Sequence, residues 1–334
     1  MRSSTGTTHL ARRRSLMIGA SALLIALLSG CGGAAADPGR TAAPTATDST
    51  PTATPAPGPG PESEPHEPTH IYWANNGIAK GDALMATAET IGWANIDGSG
   101  ADQSLIDGID YPSGMAAQGE YIYWTDIFSN TIGRAKLDGT EANHSFIAEG
   151  VYFAVGVAVD DEYIYWANNG TLSVGRARLD GSRIDEEFMK FSAGIRMPNA
   201  IAVDDRHIYW SNVASQIGRA NIDGTEIDEN FMINTGSQSG AVLSPLPVGL
   251  TVDDNYIYWS NMQQNTISRA NLDGTEGDYS FITGADFPGG VAVDGRYIYW
   301  SNNNGTIGRA HLDGTEVNQS FITGADGPGG LIVW

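Results

Sequence analysis

From residue 70 onward, four histidines, a recurring Asp-Gly pair, a recurring Tyr-Trp pair and five arginines at one repeated position could do chemistry. Histidine serves as a proton shuttle or metal ligand near neutral pH. His70, His144, His207 and His311 fall in different repeats, so spacing gives them no shared task. No Ser-His-Asp or paired-carboxylate arrangement stands out along the chain. The Asp-Gly pairs at Asp97, Asp138, Asp180, Asp223, Asp273 and Asp313 lack the alternating acidic ligands of a calcium loop, so they read as turns. No metal and no cofactor is expected.

The Tyr-Trp pairs are tempting as a ligand cage, but they recur once per repeat at one position. Trp73, Trp124, Trp166, Trp210, Trp259 and Trp300 mark six copies, 41 to 51 residues apart. That period is the range of a four-stranded propeller blade. One copy reads strand by strand. Gly290–Asp294 is a short apolar run suited to an innermost strand, and Tyr297–Asn302 alternates aromatic and β-branched residues. Thr306–Leu312 is the third strand, Asp313-Gly314 the turn, and Gln319–Thr323 the outer strand. No segment of 70–334 has helical periodicity. The expected fold is all-β, a six-bladed propeller of four-stranded antiparallel blades. The aromatic pairs then pack blade against blade. Arg134, Arg176, Arg219, Arg269 and Arg309 should each meet a carboxylate or carbonyl of their own or the next blade.

The Val-Asp that closes strand one, the Tyr-Trp of strand two and the Leu-Asp-Gly turn together resemble the YWTD repeat, the class B repeat of low-density lipoprotein receptors. The resemblance covers 70–334 and implies a six-bladed β-propeller. Only Trp124-Thr125-Asp126 keeps the last two positions of the tetrad; other copies read Ala-Asn or Ser-Asn. At repeat level the chain also resembles streptogramin lyases, a family with seven blades, a metal and a catalytic histidine. A metal-dependent lyase or hydrolase-like site at the channel mouth is the alternative to a binding or scaffold role.

The first copy begins at His70 directly with its second strand. Gly327–Trp334 matches the innermost strand of the other copies, so it should complete blade one and close the ring as a monomer. Trp334 stands where four copies place Asp160, Asp204, Asp253 and Asp294.

In an up-and-down blade the 2–3 and 4–1 connections share one face, and the 1–2 and 3–4 connections share the other. Two insertions, Ala74–Glu89 and Asn234–Pro247, fall on the 4–1 face. So do the bulky residues Tyr111, Tyr152, Phe153, Phe191, Arg196, Met197 and Phe287. Variable loops on a rigid scaffold are where binding is built. This face is the candidate binding surface, for an unknown protein, glycan or small-molecule ligand.

The N-terminus carries Arg2, Arg12, Arg13 and Arg14, then an apolar run from Leu16 to Leu28 that is short for a membrane span. Leu28-Ser29-Gly30-Cys31 resembles the bacterial lipobox, in which the cysteine is lipidated and becomes the new N-terminus. Arg13-Arg14 followed by Ser15-Leu16-Met17 also resembles a twin-arginine export signal. Residues 1–30 are thus expected to be a lipoprotein signal peptide. Cys31 would anchor the chain to the outer face of the bacterial cytoplasmic membrane, or to an outer membrane where one exists. Residues 31–69 are rich in Pro, Ala and Thr and read as a disordered tether. The whole chain has 18 Lys+Arg against 39 Asp+Glu; without the four leading arginines the balance is 14 against 39, a net of −25. A surface this acidic repels phosphates, so nucleic acid is not a partner.

Overall fold

The computed structural model describes residues 67–76, 89–192, 197–212, 216–233 and 246–334. Every regular element among them is a β-strand, and the strands form six four-stranded antiparallel sheets. Blade 1 joins Pro328–Val333, His70–Asn75, Thr90–Asn95 and Asp102–Ile106, in that order from inside to outside. In the other blades the strands follow sequence order, with inner strands Pro112–Gln118, Ala154–Val159, Pro198–Val203, Pro247–Val252 and Val291–Val293. The signal and lipobox residues, including Leu28, Ser29, Gly30 and Cys31, lie outside the described residues.

Strand alternation explains why the core takes this form. Tyr and Trp are neighbours in strand two, so they point to opposite faces of the blade. Each apolar cluster accordingly pairs the Tyr of one blade with the Trp of the next: Tyr72 with Trp124, Tyr123 with Trp166, and Tyr299 with Trp73 across the closing seam. All twelve side chains are at most 2% exposed. The Trp ring lies flat over strand three, where a Cβ on Gly133 would come within 2.1 Å of the Trp124 ring. Glycine allows that approach in five blades, and blade 5 has Ser268 opposite Trp259.

A hydroxyl stitch joins neighbouring blades near the channel. Thr125 Oγ1 accepts from the backbone N–H of Gly114 in its own blade (2.8 Å) and donates to the carbonyl of Val155 in the next (2.9 Å). Ser260 and Ser301 repeat the pattern toward Gly289 and Gly329. The position that separates Thr, Ser and Ala in the repeat tetrad is therefore a seam position, and Ala74 and Ala167 lack the stitch.

The five repeated arginines are interior props. The Arg134 guanidinium sits 4.4 Å from the Tyr121 ring centre and 3.9 Å from that of Phe146, and donates to the Leu179 carbonyl of the next blade at 3.3 Å. Arg219 and Arg269 reach the corresponding carbonyls of Leu272 and Leu312. Stacking between two rings adds a cation–π attraction to the hydrogen bond.

The Asp-Gly elements are Asx turns. Asp138 Oδ1 accepts from the Thr140 backbone N–H (2.9 Å) and hydroxyl (2.6 Å), and the other five hairpins repeat the backbone contact. These hydrogen bonds hold the six carboxyls below the usual aspartate range.

Blade 1 closes by strand pairing, with Val333 opposite Ile71 and Leu331 opposite Trp73. In blades 3 to 6 the Tyr hydroxyl donates to the aspartate that ends strand one, at 2.8, 3.0, 2.9 and 2.9 Å. Blade 1 has Trp334 in place of that aspartate and Trp93 in place of the arginine. Its Tyr72 hydroxyl instead donates to the Leu137 carbonyl of blade 2 (3.2 Å), the group an arginine reaches in blades 2, 4 and 5. The Trp334 indole N–H donates across the seam to the Gly119 carbonyl at 3.0 Å. In blade 1 indoles stand at both positions, and Trp93 and Trp334 join the cluster between blades 1 and 2, whereas blade 2 keeps Arg134 but has Gln118 at the aspartate position.

Candidate functional site

The residue just before Pro112, Ala154, Pro198, Pro247, Pro288 and Pro328, at the approach to each inner strand, sits on the 4–1 face. Its occupants are Tyr111, Phe153, Met197, Leu246, Phe287 and, in blade 1, Gly327. Side chains at the end of strand two of the same blade hold this connection in place. The Asn168 carboxamide oxygen accepts from the Tyr152 N–H (2.8 Å), Asn302 from Asp286 (2.9 Å), and Asn75 from Asp326 (3.1 Å). The 2–3 turns of neighbouring blades add a second clamp: Asn130 accepts from the Phe153 N–H at 2.7 Å, and Asn265 from the Phe287 N–H at 2.8 Å.

The clamped residues have left-handed backbones. Tyr111, Phe153 and Phe287 have φ of 76°, 53° and 43°, a region that costs bulky side chains and that Gly327 occupies freely at 61°. Tyr111 is half-buried with its ring edge-on to Phe128 at 5.1 Å. Phe153 and Met197 are half-buried. Tyr152 and Phe287 are exposed, at 43% and 51%, and the Tyr152 hydroxyl donates to Glu186 at 2.9 Å.

One predicted member leaves the surface. Phe191 is buried, stacked on Trp210 with ring centres 4.8 Å apart, because it fills the space under its loop and against the blade 4 core. Arg196 lies outside the described residues, as do 77–88 and 234–245 of the two insertions. Leu246 completes the ring of equivalent positions; aligning the residues before each inner strand would have found it.

Blade 2 places a carboxylate where the other five blades have asparagine. Asp126 is 2% exposed, accepts from the backbone N–H groups of Asp110 (3.0 Å) and Ser129 (3.2 Å), and has its carboxyl pushed up by burial. Glu89 nearby is also raised, by burial first and then by Asp110 and Asp126.

The central channel encloses about 200 Å³ and is walled by the inner strands. Its lining side chains are apolar except for Thr251, and Trp334 stands among them. The four histidines remain apart. His70 packs on Trp93, His144 lies edge-on to Trp124, His207 lies 3.6 Å from Asp204, and His311 contacts Glu316 at 3.1 Å. Among the described residues no three His, Cys, Asp or Glu side chains are grouped as metal ligands.

These blades define a six-bladed β-propeller, and comparison with solved structures agrees. A chain of the nidogen/laminin complex superposes with a TM-score of 0.63 at 20% identity, covering 79% of this chain and 98% of that one. The catalytically inactive H270A virginiamycin B lyase from Staphylococcus aureus, solved with quinupristin, gives 0.53 at 19% identity, covering 73% of this chain and 81% of that one. No family model and no curated protein matches the sequence. The structural likenesses establish the fold.

Proposed function

We propose that the protein is an exported, lipid-anchored binding scaffold that engages its ligand on the 4–1 face of the propeller. The observation that carries this reading is the set of aromatic residues held in left-handed conformations at one repeat position of that face. Left-handed non-glycine residues also occur in the 3–4 hairpins of the other face, at Glu141, Arg183, Glu226, Glu276 and Glu316, so what sets the 4–1 face apart is that large rings occupy these positions. The nidogen/laminin neighbour is itself part of a protein–protein complex, which is in keeping with a binding role.

Two measurements test the reading. Cys31→Ala should move the protein from the membrane fraction to the soluble exported fraction and abolish incorporation of labelled fatty acid. Replacing 77–88 with a turn of the length found in other blades should weaken ligand binding while leaving the melting temperature within a few degrees. Undiminished binding would remove the 4–1 face from the proposal. Turnover that depends on a bound metal would favour the lyase or hydrolase-like alternative.

A further inference from the structure

The aromatic positions are not spread evenly in charge. Blades 6, 1, 2 and 3 are consecutive around the ring. Along them the 4–1 connections read Asp286-Phe287, Asp326-Gly327, Asp110-Tyr111 and Tyr152-Phe153. Glu89, Asp107 and Glu149 are exposed at the same side of blades 1 and 2. Among the described residues, no lysine or arginine lies on the connections of blades 6, 1 and 2 on this face. Blade 3 brings Lys190, which is already paired with Glu187 at 2.5 Å. The arc therefore carries carboxylates on blades 6, 1 and 2 and aromatic rings on blades 6, 2 and 3, and the rings are kept at positions where glycine, as at Gly327, would relieve the backbone.

Resting on the binding-face reading above, we infer that this arc accepts an extended, basic segment of a protein partner, with lysine or arginine side chains lying across Phe287, Tyr111 and Phe153. An aromatic face attracts a cation through its quadrupole, and flanking carboxylates add a long-range pull. Carboxylates on three successive blades, Asp286, Asp326 and Asp110, and rings on three of the four, Phe287, Tyr111 and Phe153, suit an extended chain, which meets one group after another. A compact ligand would fill only one of them.

The inference is tested with the whole propeller and a labelled octapeptide of alternating lysine and serine, at about 0.15 M salt, where exposed charges more than about 8 Å apart are screened. Phe153→Gly/Phe287→Gly removes two rings while placing at each site the residue that tolerates positive φ, so folding should persist. Asp110→Asn/Asp286→Asn removes two carboxylates of the arc. Asp205→Asn/Asp254→Asn removes two exposed carboxylates of the opposite face. The first two pairs should each weaken binding at least fivefold, and the third should change it less than twofold. Equal losses from both charge-neutralised pairs, or no loss from the glycine pair, overturn the inference, as does absence of binding. Binding of maltohexaose or of the glutamate–serine counterpart instead, lost in the glycine pair, also overturns the basic partner but leaves the face reading standing. Retention of every interaction in the glycine pair defeats both.

Discussion

Single residues show where this propeller departs from its own repeat. Asp126 occupies a site that is asparagine in five blades, and burial raises its carboxyl. A raised folded value makes ionisation less favourable in the fold than in the unfolded chain. The penalty is absent below the unfolded carboxylate range, grows as pH rises through it, and is complete above the folded value. Asp126→Asn should therefore raise the melting temperature by a few degrees at pH 7 and by almost nothing at pH 3, as followed by circular dichroism. The His144 carbonyl, which accepts from Thr131, offers the new amide the contact that Asn75 and Asn302 make to Gln103 and Gln319. A lower melting temperature at pH 7 would show that the two backbone N–H bonds need the full carboxylate.

At the scale of the element, the closing strand is held by different chemistry from the rest. Removing Gly327–Trp334 exposes strand two of blade 1 along its inner edge and uncovers the cluster that contains Leu331. The deletion should melt far lower than one of equal length taken from 32–69; an unchanged melting temperature with a soluble monomer would contradict closure. Trp334→Ala should cost about 2–4 kcal/mol by loss of packing at a partly buried site. Trp334→Asp should be worse, because it gives up the same packing while the Tyr72 hydroxyl stays committed to the Leu137 carbonyl, and adding Trp93→Arg, which supplies a donor for that carbonyl and frees the hydroxyl for the aspartate, should restore part of the loss. Denaturant unfolding of the four forms reads the coupling directly. The hairpins add an acid limit. Their six carboxyls are held low by the Asx contacts, so their contribution is present above the unfolded range and is lost as pH falls through the lowered values.

Much of this was legible in the sequence, for physical reasons. The Tyr-Trp pair had to straddle a blade because strand alternation allows nothing else, and Gly327–Trp334 had to pair where blade 1 lacked a strand. The arginine position was read as a contact with a carboxylate or carbonyl, and the next blade's carbonyl is what the structure shows. The two flanking rings could not be foreseen, because Tyr121 and Phe146 meet only after folding. Phe191 looked like a surface aromatic because its neighbour in space, Trp210, belongs to the next blade. The left-handed backbones at Tyr111, Phe153 and Phe287 were hidden for a different reason: the residues there are not those that ordinarily mark positive φ.

At the scale of the whole propeller, the ring of six blades separates two faces of different composition. The 1–2 side carries regular turns and is latched by aspartates in blades 3 to 6 and by Trp334 at the seam. The 4–1 side carries the insertions, the strained aromatics and the carboxylates between them. Site-specific photo-crosslinking in intact cells tests whether a partner meets the 4–1 face rather than the 1–2 face. A benzoylphenylalanine at 153 or 287 should give a discrete partner adduct, and one at 205 or 254 on the opposite face should give none. Adducts of equal yield from both faces, or adducts only from 205 and 254, would contradict the account.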